Sequence, residues 1–184
     1  SDVCSSDLPL ISNNTNAETT LANSLISFNS NGMTLGLNDN ANAIASYLGV
    51  GWQWQAGQGT TSSNTSGSVT STVSVNSTAG FSVATFTTPS TGHSNFTFGH
   101  GLGVAPKMII TKSRSAATDW NVYHVSMGAT KGIYLNQTLS AQTSTGFWQD
   151  TTPSSTLVYI GTGQAGSSET FVAYCFAEKI GRAH

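Results

Sequence analysis

Between residues 80 and 178 the apolar residues come in short alternating runs, each closed off by turn-forming residues. Phe81-Ser82-Val83-Ala84-Thr85-Phe86 alternates. Asn95–Phe98 is short and aromatic. Lys107-Met108-Ile109-Ile110-Thr111-Lys112 is apolar at its centre with lysine at both edges. Asn121–Val125, Gly132–Leu135, Thr156–Ile160 and Thr170–Phe176 continue the series, with turns at 89–92, 99–106, 115–118, 127–130 and 150–154. A period of two is that of a strand with one face toward a core. Short strands at regular spacing, with no long helical period, predict an all-β chain built as an antiparallel β-sandwich, a class that includes jelly-roll and concanavalin-like forms.

Charge narrows the function classes. Charged residues are 8% of the chain and the formal net charge is −2, against ~25% charged in an average globular protein. Few lysines and arginines make a poor electrostatic partner for nucleic acid or an anionic membrane. No run approaches the ~20 apolar residues of a membrane-spanning helix. Neither a nucleic-acid partner nor membrane insertion is expected.

The ends carry a signal of another kind. Val3-Cys4-Ser5-Ser6-Asp7 and Ile180-Gly181-Arg182-Ala183-His184 can be encoded by one short DNA sequence and its reverse complement, and that DNA resembles a sequencing adapter. Residues 1–8 and most of 179–184 are therefore expected to be adapter-derived, and the chain to be a fragment of a longer protein. Cys175, in the apolar run Phe171–Ala177, is then the one genuine cysteine and is expected to be a small buried residue.

An internal echo suggests repeats. Met33-Thr34-Leu35-Gly36, a polar loop and Val50-Gly51-Trp52-Gln53-Trp54-Gln55-Ala56 parallel Val158-Tyr159-Ile160-Gly161, a loop and Val172–Ala177. In both, large residues occupy alternate positions of the second strand. On this basis residues 9–56 are the C-terminal part of a preceding repeat and 80–178 a β-sandwich repeat. Residues 57–79 are a Ser/Thr/Gly-rich linker or edge strand, with Val69, Val73 and Val75 on one side. A short helix is a candidate over 17–26, where Leu21, Leu25 and Ile26 lie near helical spacing.

Catalytic patterns are missing from the sequence. The loop Gly99-His100-Gly101-Leu102-Gly103-Val104-Ala105-Pro106 is followed by a β-branched run rather than a helix, so it does not suit phosphate. It reads as a structural loop in which Gly99, Gly101 and Gly103 allow tight turning, His100 bonds loop backbone and Pro106 feeds the next strand. His93, His100 and His124 have no metal-ligand spacing, and His124 is expected half exposed beside Tyr123. No serine lies in a Gly-x-Ser-x-Gly elbow, and Asp119 and Asp150 read as turn caps. No catalytic residue, metal or cofactor is expected. Trp120, Tyr123, Tyr134 and Trp148 are candidates for stacking against a sugar ring if exposed, and core residues if buried.

The run from Gly99 to Ser115, Trp120-Asn121-Val122-Tyr123-His124, Tyr134-Leu135-Asn136 and Val172–Glu178 resemble a repeat domain of uncharacterised tailed-bacteriophage virion proteins. Trp52-Gln53-Trp54-Gln55-Ala56-Gly57 is similar to the end of a preceding repeat there. The resemblance covers most of residues 25–178 and implies a non-catalytic structural or adhesion role in a phage tail or tail fibre. The implied location is the virion. The implied partners are other tail proteins or sister chains, as in a homotrimer, and a host-surface glycan. It assigns no functional residue. The alternative from the residues themselves is a carbohydrate-binding β-sandwich of a phage fibre or of a bacterial extracellular protein.

Overall fold

The strand period seen in the sequence is the one the backbone adopts. The computed structural model describes residues 8–20, 25–36 and 52–178. The strands are β1 (Leu25–Asn29), β2 (Gly32–Leu35), β3 (Ser62–Asn64), β4 (Ser71–Asn76), β5 (Phe81–Thr87), β6 (Phe96–Gly99), β7 (Pro106–Ser113), β8 (Asn121–His124), β9 (Lys131–Tyr134), β10 (Gln142–Thr143), β11 (Leu157–Ile160) and β12 (Thr170–Ala177). A single-turn helix, α1 (Thr145–Trp148), precedes β11.

Eight strands form one antiparallel sheet in the order β10-β9-β8-β7-β12-β5-β4-β3, and β6 and β11 pair as a second, smaller layer. β12 lies near the middle, between β5 and β7. Its near-continuous apolar sequence fits a strand covered on both faces. Register decides which residues meet. Phe171 stands opposite Phe86 and Ala173 opposite Ala84, while Cys175 stands opposite Ile109. These side chains join Phe96 and Phe98 of β6, Val158 and Ile160 of β11, and Phe147 and Trp148 of α1 in the main core. The rings of Phe86 and Phe98 lie 4.4 Å apart and those of Phe86 and Phe171 5.7 Å apart. Ala84 and Ala173 expose nothing to solvent. Their small size lets the β6–β11 layer approach the sheet closely. Burial pushes the Cys175 thiol up to about 12, against an opposing contribution from Ser82, so the thiol is an inert core group.

The opposite face of the sheet is more thinly covered. Phe81, Val83 and Val172 form a small cluster with Tyr174, Phe176, Leu10 and Ala56. The segment 8–20 is tied down by a Trp120 Nε1–H bond to the Ile11 carbonyl at 3.2 Å, a Glu18 N–H bond to the Arg114 carbonyl at 2.8 Å, and the Arg114–Glu18 ion pair at 2.5 Å.

The sandwich is therefore unequal, eight strands against two, rather than the four against four of a jelly roll. Of the two readings of residues 57–79, linker or edge strand, the strand applies at 62–64, where β3 borders the main sheet. β3 and β4 belong to the main sheet, and β4 is an inner strand, because Val73 meets Ala84 and Val75 meets Ser82 across a regular ladder. Residues 17–20 are not helical, and Leu25 and Ile26 lie in β1, where Leu25 pairs with Leu35 of β2 and Ile26 falls at an irregularity of the ladder. Trp52–Ala56 joins no ladder, so the second half of the echo differs from β12. Leu21, Val50, Gly51 and the expected adapter-derived residues at 1–7 and 179–184 lie outside the described residues.

Candidate functional site

Sheet order gathers three connections at one end of the molecule. β7 and β12 are antiparallel neighbours, so the chain leaving β7 and the chain entering β12 emerge together, and the Arg114 N–H bonds the Thr170 carbonyl at 2.7 Å. β5 ends beside the start of β12 through the Thr87–Thr170 pair. The Thr88 hydroxyl bonds the Gly166 carbonyl at 2.8 Å and accepts from the Glu169 N–H at 2.9 Å, which fastens the β11–β12 connection to the end of β5. The His93 N–H bonds the Ala165 carbonyl at 3.1 Å, fixing the β5–β6 connection as well.

These connections border an open polar cleft of about 270 Å³. Its lining includes His93, Thr118, Asp119, Asn121, Tyr134, Gln164 and Glu169. Asp119 does not simply cap its own turn. Its Oδ1 accepts from Asn136 Nδ2 and Gln137 Nε2, both at 2.7 Å, linking the chain before β8 to the chain after β9. Gln164 is a fixed wall, since its Oε1 accepts from the Thr111 hydroxyl at 2.8 Å and its Nε2 donates to the Phe147 carbonyl. Glu169 Oε2 and Thr118 Oγ1 are shielded from solvent with no hydrogen-bond partner. Lys112 is buried beside this end, with Nζ donating to the Ser113 carbonyl at 2.7 Å and the Ala116 carbonyl at 3.2 Å. Burial lowers its pKa, while the Glu169, Asp119 and Glu18 carboxylates act in the opposite direction.

Of the four stacking candidates only Tyr134 belongs to the cleft. It is half-buried and packs on Phe147 with ring centroids 5.4 Å apart. Burial raises its hydroxyl pKa, and Asp119 adds to the rise. Trp120, Tyr123 and Trp148 are buried and offer no face to a sugar. Their strands place them against other elements. Tyr123 meets Trp148 edge to face at 5.8 Å, and Trp120 is held by Ile11 and by a backbone N–H bond to Asn136 Oδ1 at 2.9 Å. Exposed rings are found elsewhere. Trp52 is 74% and Trp54 56% exposed, their planes within 13° of parallel, and Trp54 rests edge-on against Phe176. The Trp-x-Trp spacing was the sequence signal for this pair.

The β6–β7 loop is a structural device at a separate location. His100 is fully buried, its Nδ1 accepting the Leu102 N–H at 3.3 Å and its Nε2 lying 3.2 Å from the Ser154 carbonyl. That pairing assigns a neutral ring with the proton on Nε2. At Gly101, φ is +74° and a Cβ would come within 2.7 Å of Val75 Cγ2, so the position requires glycine. Pro106 is buried at the start of β7. His124 is exposed beside the buried Tyr123, and its Nδ1 lies 2.6 Å from the Ser126 hydroxyl.

Burial lowers the His100 pKa, with the Ser154 carbonyl opposing the shift. The unfolded chain therefore takes up this proton first, near the ordinary histidine value of ~6.5. The stabilisation is complete above that value and declines as the pH falls through it toward the lowered folded value. Urea unfolding of the wild type is expected to show stability falling as the pH drops below ~6.5, with a shallower decline in His100→Gln. Equal slopes would assign the dependence to other groups.

Among the described residues no group of three or more His, Cys, Asp or Glu side chains is placed to share a metal ion, and no helix is long and apolar enough to cross a membrane. No curated protein and no solved structure matches the chain. One family model does match, over residues 1–183, and its description is a domain of unknown function. A match of that extent places this unequal sandwich and its polar cleft in a family: the chain belongs to the DUF7483 family.

Proposed function

We propose that the chain is a non-catalytic structural and adhesion module of a phage tail or tail fibre. The observation that carries this reading is the division of its large apolar side chains. The main sheet buries Phe81, Phe86, Tyr123 and Phe171, whereas Ile26, Phe28 and Leu35 on the β1–β2 hairpin and Trp52 and Trp54 ahead of β3 are exposed, as are Val104, Val125, Leu135 and Leu139 in or beside loops. Apolar side chains gathered on peripheral segments suit contact with another protein surface. Sister chains or other tail proteins are the proposed partners, and the virion is the proposed location. The surface of Ser, Thr and Asn with few charges suits a protein held at high local concentration.

The reading is tested by sedimentation of the 184-residue chain over a concentration series. The expected result is reversible self-association that the double variant Phe28→Ser, Trp52→Ser abolishes while its melting temperature is kept. A monomer throughout would remove sister-chain packing. Antibodies raised against the chain and applied to purified tailed particles from the source environment would test the location, with decoration of the tail expected and absence of label counting against it.

A further inference from the structure

We propose that the cleft at the shared end of β5, β7 and β12 binds one ring of a neutral, polyhydroxylated ligand, the terminal sugar of a glycan. This deepens the adhesion reading and takes from it only the biological source of the glycan.

Size is the first argument. The cleft's volume of about 270 Å³ lies just below the ~300–1,000 Å³ of sites for drug-sized ligands, which fits a single sugar ring. Chemistry is the second. Thr118 Oγ1 and Glu169 Oε2 have no hydrogen-bond partner and are shielded from solvent. Buried polar atoms are ordinarily paired, so two orphans beside one cleft mark a place where a ligand supplies the partners. Both residues line the cleft, so a ligand seated there lies beside the two side chains whose atoms lack partners. Sugar hydroxyls can donate to a carboxylate and can both donate to and accept from a threonine hydroxyl. Tyr134, backed by Phe147, adds the apolar wall on which sugar C–H groups pack.

Charge disfavours the competing ligand classes. Asp119 and Glu169 in one lining repel an anion such as phosphate. Among the described residues no group of three or more His, Cys, Asp or Glu side chains is placed to share a metal ion. Residues that already satisfy each other form the frame: Asp119 is held by Asn136 and Gln137, and Gln164 by Thr111 and Phe147. A site whose frame is fixed before binding loses little entropy on closing around a ligand.

The test uses the full chain and NMR titration with the methyl glycosides of glucose, galactose, mannose and N-acetylglucosamine. Inorganic phosphate and calcium chloride serve as separate probes. At least one glycoside is expected to shift the backbone amides of residues 118–121 and 163–169 at millimolar concentration. Glu169→Gln is expected to bind that glycoside at least about tenfold more weakly, the loss of one hydrogen bond to a charged group. Trp54→Ala is expected to bind as the wild type does. Silence toward every glycoside would overturn the proposal. So would shifts confined to Trp52–Ala56, a requirement for calcium, or binding of phosphate at the same amides. The wild-type shift map stands even if Glu169→Gln fails to fold. Self-association in the sedimentation series is independent of all these outcomes, so failure of the cleft and failure of the adhesion reading are distinguishable.

Discussion

Replacing Trp148 by alanine is expected to destabilise the chain by about 3–5 kcal/mol, the range for removing a large aromatic from a close-packed core. At this chain length that is a fall of roughly 10 °C or more in melting temperature. The residue has no exposed surface, and it packs edge-on against Tyr123. Its neighbour Gln149, at φ +54°, donates Nε2 bonds to the Phe96 carbonyl at 3.0 Å and the Ile160 carbonyl at 2.8 Å, clamping β6 and β11 together. Losing the indole removes the support under that clamp. Trp148→Phe is expected to cost far less, about 1 kcal/mol. The indole Nε1 has no hydrogen-bond partner, so the smaller ring gives up volume but also removes a buried orphan donor. Thermal and urea unfolding of the two variants would check the order. An alanine cost below that of phenylalanine would mean that α1 and the β6–β11 layer are not part of the cooperative unit.

Gly161→Ala is expected to destabilise by about 3 kcal/mol, the upper end of the overpacking range. Gly161 closes β11, and its N–H bonds the Phe147 carbonyl at 2.8 Å. A Cβ there would fall against the Thr145 carbonyl oxygen and within 2.5 Å of the Gly146 carbonyl carbon. Backbone atoms cannot turn aside as a side chain can, so α1 would have to lift from the layer beneath it. Gly103→Ala provides the contrast. Its φ is +75°, but a Cβ there meets nothing within 4 Å, so only the conformational penalty of about 1–2 kcal/mol is expected. Urea unfolding that ranked Gly103→Ala as the costlier change would refute the close approach of α1 to β11.

The strands easiest to read in the sequence were those whose alternation is also their burial. β5, β7 and β12 carry large residues on the faces that the core needs, and the turn residues between them set their ends. β3 was harder, because Ser62-Ser63-Asn64 has no apolar residue and is a strand only through its pairing with β4. The helix expected near Leu25 failed for the converse reason, since a few apolar residues near helical spacing were outweighed by the pairing of Phe28 with Met33 and Asn29 with Gly32. α1 is one turn long, too short for any period, and rests on the Ser144 cap and the Gln149 left-handed turn. The stacking candidates were chosen by ring type, but exposure depends on which elements cover a strand end, and that is a property of the tertiary arrangement. The cleft was hidden for a related reason. Asp119 and Glu169 are distant in sequence and become neighbours only because β7 lies next to β12, an adjacency that alternation does not encode.

β3, three residues long, and β10, two residues long, are the outermost strands of the main sheet. Such brief borders give an incoming chain almost no run of free amides and carbonyls to template on. Crowded copies are thereby discouraged from zipping into an endless ribbon along the main sheet.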